Sequence, residues 1–172
     1  MKSLKLGLLL GVLGLVIAGC RVVVTPGDVS VRTTVRFGIE VSPIIQVFEP
    51  TKGSSSSYRV GEAIAFRILT ARTGYITLSA IDPDGTVYVF ARNILVQGGV
   101  RTSISGVDSR TIFTLQPPRG LHRVRAAFTP SATNAAVTYS NVYGEDNWTR
   151  IVIDDVRPYS VRDIVETRFF LE

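Results

Sequence analysis

Alternating apolar and polar residues on both sides of a tight turn restrict the fold of this chain more than any other feature. Apolar side chains recur at every second position in residues 75–81 and again in residues 86–90. Between these runs stands Asp-Pro-Asp-Gly, where Pro83 fixes the backbone angle φ of its turn position and Gly85 accepts a positive φ. Two alternating runs joined by such a turn predict a β-hairpin.

The same period of two recurs along most of the chain. It is strict in residues 29–41, where Gly38 is expected to bend the strand into two pieces. Further strands are predicted at residues 43–50, 58–70, 111–115, 121–128, 136–139, 148–153 and 162–171. No helical stripe of convincing length follows residue 20. We therefore predict an all-β fold, an antiparallel immunoglobulin-like β-sandwich of about seven to nine strands, with a small barrel as the alternative.

The first 20 residues have the pattern of a secretory leader. Lys2 and Lys5 precede an uncharged apolar stretch at residues 6–18, which is shorter than the roughly 20 residues needed to span a membrane. Ala18-Gly19 before Cys20 resembles the lipobox of bacterial lipoproteins. That resemblance implies cleavage before Cys20, a diacylglycerol on its thiol and further acylation, for example by palmitate, at the new amino group. An ordinary cleaved leader is the alternative.

These features predict three parts: a lipoprotein signal peptide at 1–19, a lipidated tether at 20–28 and a single β-sandwich domain at 29–172. Cys20 is the only cysteine, so no disulfide can form within the chain and a hydrophobic core must hold the domain together. The expected location is the bacterial cell envelope, at the outer membrane or on the periplasmic face.

Charge and aromatic residues suggest where a partner would bind. The net charge is +5, and removal of Lys2 and Lys5 with the leader would leave +3, which is too small to indicate a nucleic-acid-binding protein. Three arginines share one strand parity and could bind phosphates or acidic patches, although a solvated strand face is the favoured explanation. Trp148 and Tyr143 could add an exposed aromatic patch, with core packing as the alternative for Trp148. The candidate partner-binding residues are Arg119, Arg123, Arg125, Trp148 and Tyr143.

Evidence for a metal site in the sequence is weak. Asp82 and Asp84 could bind Ca²⁺, but no further ligands stand at suitable spacing and a hairpin turn explains both residues. His122 is the only histidine, whereas copper and zinc sites usually recruit several His or Cys side chains. It shares its strand parity with Val124, which favours a structural role. A phosphate-binding loop and a Ser–His–Asp arrangement are both missing from the sequence, so catalysis is not favoured.

A wider pattern links the middle of the chain to a known family. It consists of Tyr58, Gly61-Glu62, Phe66, Gly74-Tyr75, Thr77-Leu78, residues 82–85 and Arg92-Asn93. Over residues 58–130 it resembles the bacterial domain-of-unknown-function family 4384. Members occur in envelope lipoproteins and, in some bacteria, beside surface-layer proteins, which implies an envelope-facing β-sandwich without assigned catalytic residues. The sequence departs from the family at residues 94–96, where an apolar run replaces the usual polar one.

The resulting hypothesis is a lipid-anchored binding or scaffold subunit of the bacterial envelope, an accessory component of a surface-layer or outer-membrane complex. One alternative is a copper-dependent, superoxide-dismutase-like enzyme that uses His122, and another is a passive structural spacer. No cofactor is expected beyond the acyl chains on Cys20, and copper enters only under the enzyme alternative. The identity of the partner and the oligomeric state stay open.

Overall fold

A computed structural model of the chain describes residues 33–134 and 137–172, which belong to one compact unit, Val31–Glu172. The predicted leader, the tether with Cys20 and residues 29–32 lie outside the described residues. The strands are β1 (Thr34–Arg36), β2 (Ile39–Val41), β3 (Ile45–Pro50), β4 (Ser57–Tyr58), β5 (Phe66–Thr70), β6 (Gly74–Ile81), β7 (Thr86–Val96), β8 (Thr102–Ile104), β9 (Gly120–Thr129), β10 (Val142–Tyr143) and β11 (Asp163–Leu171). One helix, α1 (Glu145–Val156), precedes β11.

The strands form two main sheets and a short ribbon. The large sheet has six strands in the order β10-β7-β6-β9-β11-β4, antiparallel except for the β11–β4 pair. The small sheet has the antiparallel order β3-β5-β8, and β1 pairs with β2 alone. The prediction of an all-β antiparallel sandwich is confirmed, and the described strands do not close into a barrel. Their number exceeds the prediction because strands of two or three residues leave no periodic signal.

The main core lies between the two sheets and follows from the period of two. Every second side chain of a strand points to the same face. Ile76 and Leu78 on β6 and Ala126 on β9 are completely buried there, and Ile68 on β5 faces them from the small sheet. Burying a side chain of this size contributes about 1.5–3 kcal/mol to folding. The alternation is therefore what joins the sheets into a sandwich.

The predicted hairpin forms as expected. Gly85 donates its backbone N–H to the Asp82 carbonyl over 2.9 Å, and Asp82 donates to the Thr86 carbonyl over 2.9 Å. Gly85 adopts a φ of 87°, which its lack of a side chain permits. Gly38, with a φ of 81°, bends the first predicted strand into the β1–β2 hairpin.

Helix α1 overturns the predicted strand at residues 148–153. The β-branched run at residues 151–153 suggested a strand, but Trp148, Val152 and Val156 stand four residues apart and form one buried helical stripe. The acidic residues Glu145 and Asp146 occupy the first turn, where they stabilise the positive end of the helix dipole. The expectation that no helix follows the leader is therefore wrong.

Helix α1 covers the face of the large sheet that points away from the small sheet. Its stripe packs in a second core cluster against Ile81, Val87, Ala127 and Ile164. The six-stranded sheet is thus buried on both faces, which explains why the second set of alternating positions on β6 and β9 is also buried.

Two weaker strand predictions also need correction. Residues 111–115 form an isolated bridge, Ala63 to Thr114, because the neighbouring backbone pairs with two different segments. Residues 137–139 are not in a strand, and residue 136 lies outside the described residues; the strand of this region is β10. In the described ranges 33–134 and 137–172, no helix has the length and apolar character required to cross a bilayer.

Candidate functional site

The strongest candidate site is an open cavity of about 270 Å³ at the rim of the main core. Its wall is largely aromatic, and the rings come from both sheets and from the segment before β9. The aromatic side chains that line it are Phe66, Tyr88, Phe90, Phe113 and Phe169. Ile112 stands at the rim with 65% of its surface exposed, and Ala80 and Val124 belong to the buried part of the wall.

Contacts between the rings hold the cavity open in one shape. Phe90 packs edge-on against Phe113 with ring centroids 5.0 Å apart, and it meets Phe66 at 5.9 Å across the sandwich. Edge-to-face pairs of this kind contribute about 0.5–1.5 kcal/mol beyond simple burial. The backbone of residue 113 is also fixed, because it bonds to Ser105 and to Ile64. The cavity is therefore preformed.

A polar cluster adjoins this apolar wall. The Tyr88 hydroxyl donates to Asp82 Oδ1 over 3.0 Å, and His122 Nδ1 meets the same oxygen at 2.8 Å. His122 Nε2 lies 2.8 Å from the backbone carbonyl oxygen of Pro118. The imidazole ring stacks parallel to Phe169, with centroids 5.2 Å apart. Burial, followed by the negative charge of Asp82, raises the pKa of the Tyr88 hydroxyl.

Both nitrogens of His122 face oxygens that can only accept hydrogen bonds if Asp82 is ionised. A doubly protonated ring satisfies both contacts, whereas a neutral ring satisfies one. Burial of the ring acts to lower its pKa, but the bonds to Asp82 and Pro118, with the charges of Asp82 and Asp84, outweigh it. The pKa of His122 is therefore raised above its ordinary value of 6.5.

The weak metal candidates take structural positions. Asp84 Oδ1 accepts the Thr86 backbone N–H over 2.9 Å and so serves the hairpin turn, as its sequence context predicts. Both ring nitrogens of His122 already contact an oxygen at 2.8 Å, one from Asp82 and one from Pro118. The described residues contain no group of three or more His, Cys, Asp or Glu side chains placed to hold a metal.

The five candidate partner-binding residues do not share one surface. Arg125 and Trp148 are buried against each other, with the guanidinium carbon 3.8 Å from the Trp148 ring centroid, so neither is available to a partner. Arg125 therefore does not lie on a solvated strand face, and Trp148 does not lie in an exposed aromatic patch. Tyr143 is 59% exposed on β10, and Arg119 is exposed in the segment before β9. Arg123 is half-buried between these extremes.

Arg123 and Arg125 form an ion-pair network that connects helix α1 to the sheet. Arg125 Nε bonds to Glu166 Oε2 on β11 over 2.8 Å, and Arg123 bonds to both Glu166 and Glu145. Trp148 adds a bond from its indole N–H to Ser79 Oγ over 2.9 Å. Burial lowers the pKa of Arg125, while the Arg123 bonds lower the pKa of Glu145. The helix is thereby locked at its first turns.

A second polar cluster was not found by sequence reasoning. Arg92 Nη1 on β7 bonds to Asp155 Oδ1 on α1 over 3.1 Å and to Thr133 Oγ1 over 3.0 Å. Asp155 is buried, and burial raises its pKa. Arg92 belongs to the family pattern, but its partners lie 41 and 63 residues away. No local signal in the sequence links them.

The cavity residues were also missed as a group. Phe66 and Phe90 stand on predicted strands, where alternation indicates burial but not a cavity. Phe113 and Phe169 are 56 positions apart in the sequence, and only the fold brings them to one wall. The parity of His122 with Val124 was the useful signal, because it places the ring on the core side beside Phe169.

Comparison with known proteins gives one finding. A family model described as Domain of unknown function (DUF4384) matches residues 57–132. No match was found among curated proteins or solved structures. Four of the five aromatic rings of the cavity, with Asp82, Pro118 and His122, lie in the matched segment, and Phe169 lies outside it. Residues 57–132 are therefore similar to the family described as Domain of unknown function (DUF4384), which confirms the resemblance noted in the sequence.

Proposed function

We propose that this protein is a lipid-anchored binding subunit of a bacterial cell envelope, and that the aromatic cavity receives an apolar side chain of a partner protein. The single observation that carries the binding role is the preformed cavity, open to solvent beside the exposed Ile112. Apolar pockets with a few polar groups at one side are the common form of a binding site. The Tyr88–Asp82 pair supplies such polar groups here.

The size of the cavity favours a side chain as its occupant. An apolar cavity of about 150 Å³ already holds benzene, whereas pockets for drug-sized ligands begin at roughly 300 Å³. A volume of about 270 Å³ suits one aromatic ring or one large aliphatic side chain. Single buried anchors of this kind supply much of the affinity of protein interfaces. The family match adds no activity of its own.

The anchor supports the choice of partner. A diacylglycerol on Cys20 would hold the domain at a membrane, because each buried CH₂ contributes about 0.8 kcal/mol and two chains give stable attachment. The partners available there are envelope proteins, among them components of surface layers or outer-membrane complexes. A domain anchored at that membrane would be able to position such a partner.

The direct test is photocrosslinking in living cells. A photoreactive phenylalanine analogue replaces Ile112 at the cavity rim, and a matched control replaces Leu95, which is 59% exposed on β7 and does not line the cavity. We expect a discrete envelope-protein adduct from position 112 and none from position 95. Equal labelling at both positions, or no adduct at position 112, contradicts the proposal.

A further inference from the structure

His122 touches three separate parts of the cavity wall. Its ring stacks on Phe169, and its Nδ1 shares Asp82 Oδ1 with the hydroxyl of the lining residue Tyr88. Its Nε2 bonds to the carbonyl of Pro118, which follows the lining residues 112–115 by three positions. The side chain of His122 is 3% exposed, so it acts from behind the wall and is not itself a ligand contact.

The charge of the ring decides how many of these contacts survive. Asp82 and Asp84 face the imidazole from the β6–β7 turn, and the ionisable Tyr88 faces it through Asp82. Phe169 on β11 and the carbonyl of Pro118 also contact the ring, and neither carries a charge. Loss of one proton leaves one ring nitrogen with a lone pair directed at an oxygen 2.8 Å away, an arrangement that must open.

The contact to Pro118 is the one that opens. A hydrogen bond to a carboxylate is stronger than one to a neutral carbonyl, so the neutral ring keeps its proton on Nδ1 and faces Asp82. The ring then offers no donor to Pro118. The segment before β9 then loses its hydrogen bond to His122. We expect the cavity wall at residues 112–115 to be held less firmly as a result.

We propose that His122 is a proton-operated latch that fixes the 112–118 side of the aromatic cavity while its ring is charged and loosens it as the pH rises. This inference depends on the proposed function in one respect only, which is that the cavity is treated as a binding site. The latch itself belongs to the isolated protein, so its test requires no partner. A missing crosslinked partner and a missing latch are therefore separate results.

The test is an NMR titration of the full-length protein in a mild detergent. His122 is the only histidine, so one ring signal reports its protonation without ambiguity. We expect a midpoint above 6.5, and we expect the methyl signals of Ile112 and Leu115 to change with the same midpoint. A midpoint at or below 6.5 overturns the proposal, and so do methyl signals that ignore the titration of the ring.

Two variants of the turn sharpen the result. Asp82→Asn removes the carboxylate that bonds to the ring, and Asp84→Asn is its matched control because it keeps the acceptor for Thr86 and does not touch His122. We expect the midpoint to fall clearly in Asp82→Asn and much less in Asp84→Asn. Equal falls contradict the latch, because they indicate a general effect of charge. If Asp82→Asn does not fold, His122→Gln replaces it and should abolish the pH response of the methyl signals; persistence of that response also overturns the proposal.

Discussion

Asp82 Oδ1 accepts hydrogen bonds from Tyr88 and from His122, and this one oxygen joins the hairpin turn to the cavity wall. The hairpin turn explains why an Asp occupies position 82, and the bonds to Tyr88 and His122 give its side chain a second structural role. Asp84, two residues away, bonds only within the turn. Two carboxylates of one sequence motif therefore have different roles, which depend on the strand that each side chain meets.

The first prediction concerns pH and stability at His122. The folded-state pKa lies above the ordinary value of 6.5, so the ring's stabilising contribution is fully present below pH 6.5 and is lost as the pH rises through the folded-state value. Urea unfolding of the wild-type protein and of His122→Gln should show a stability difference that shrinks as the pH rises. A difference that stays constant or grows with pH contradicts the assignment of a charged ring.

Helix α1 is attached to the sheet by named side-chain contacts as well as by apolar packing. Arg125 packs its guanidinium on Trp148 and bonds to Glu166 and Thr149, so a strand residue and a helix residue are buried in one contact. One atom of the group, Nη2, is buried without a hydrogen-bond partner. The arginine therefore stabilises through stacking and packing as well as through charge.

The second prediction tests this contact. Arg125→Ala should lower the free energy of unfolding by roughly 2 kcal/mol or more, because it removes a buried cation–π contact and leaves a cavity. Arg125→Met should have a smaller effect, since it keeps most of the volume and removes the unbonded nitrogen. The matched control Arg119→Ala, at an exposed position, should stay within about 0.5 kcal/mol. Equal losses in Arg119→Ala and Arg125→Ala would show that the network does not hold the helix.

Elements whose signal is local could be predicted from the sequence. The hairpin around residues 82–85, the strand at 121–128 and the last strand all rest on alternation and turn chemistry, and each is present. Helix α1 was predicted as a strand because the β-branched residues at 151–153 outweighed the four-residue spacing of Trp148, Val152 and Val156. Packing against the buried face of the sheet overrides the local strand preference of these residues, and the position of that face is known only from the fold.

In the described residues, 33–134 and 137–172, a six-stranded sheet is covered on one face by a smaller sheet and on the other by a helix. The cavity lies on the small-sheet side, and the ion-pair network lies on the helix side. Mutations in the network should therefore change stability without entering the binding site. This separation could not be predicted from the sequence, because both sides draw on alternate residues of the same strands.

The third prediction concerns attachment to the membrane. Mass spectrometry of the native protein should find Cys20 as the first residue, carrying a diacylglycerol. The variant Cys20→Ser has no thiol to acylate, so it should lose the lipid and leave the membrane fraction. An unmodified thiol on the native protein would remove the anchor from the proposed function.

The binding role depends most directly on the cavity being filled by a partner. Ala80 lies in its buried wall with 2% of its surface exposed, so Ala80→Leu should occupy the space without changing the rim. We predict that the adduct formed by the photoreactive group at position 112 disappears in an Ala80→Leu background, while the unfolding midpoint shows that the domain remains folded. An adduct of undiminished yield in that folded background would contradict the central claim that the cavity receives a partner's side chain.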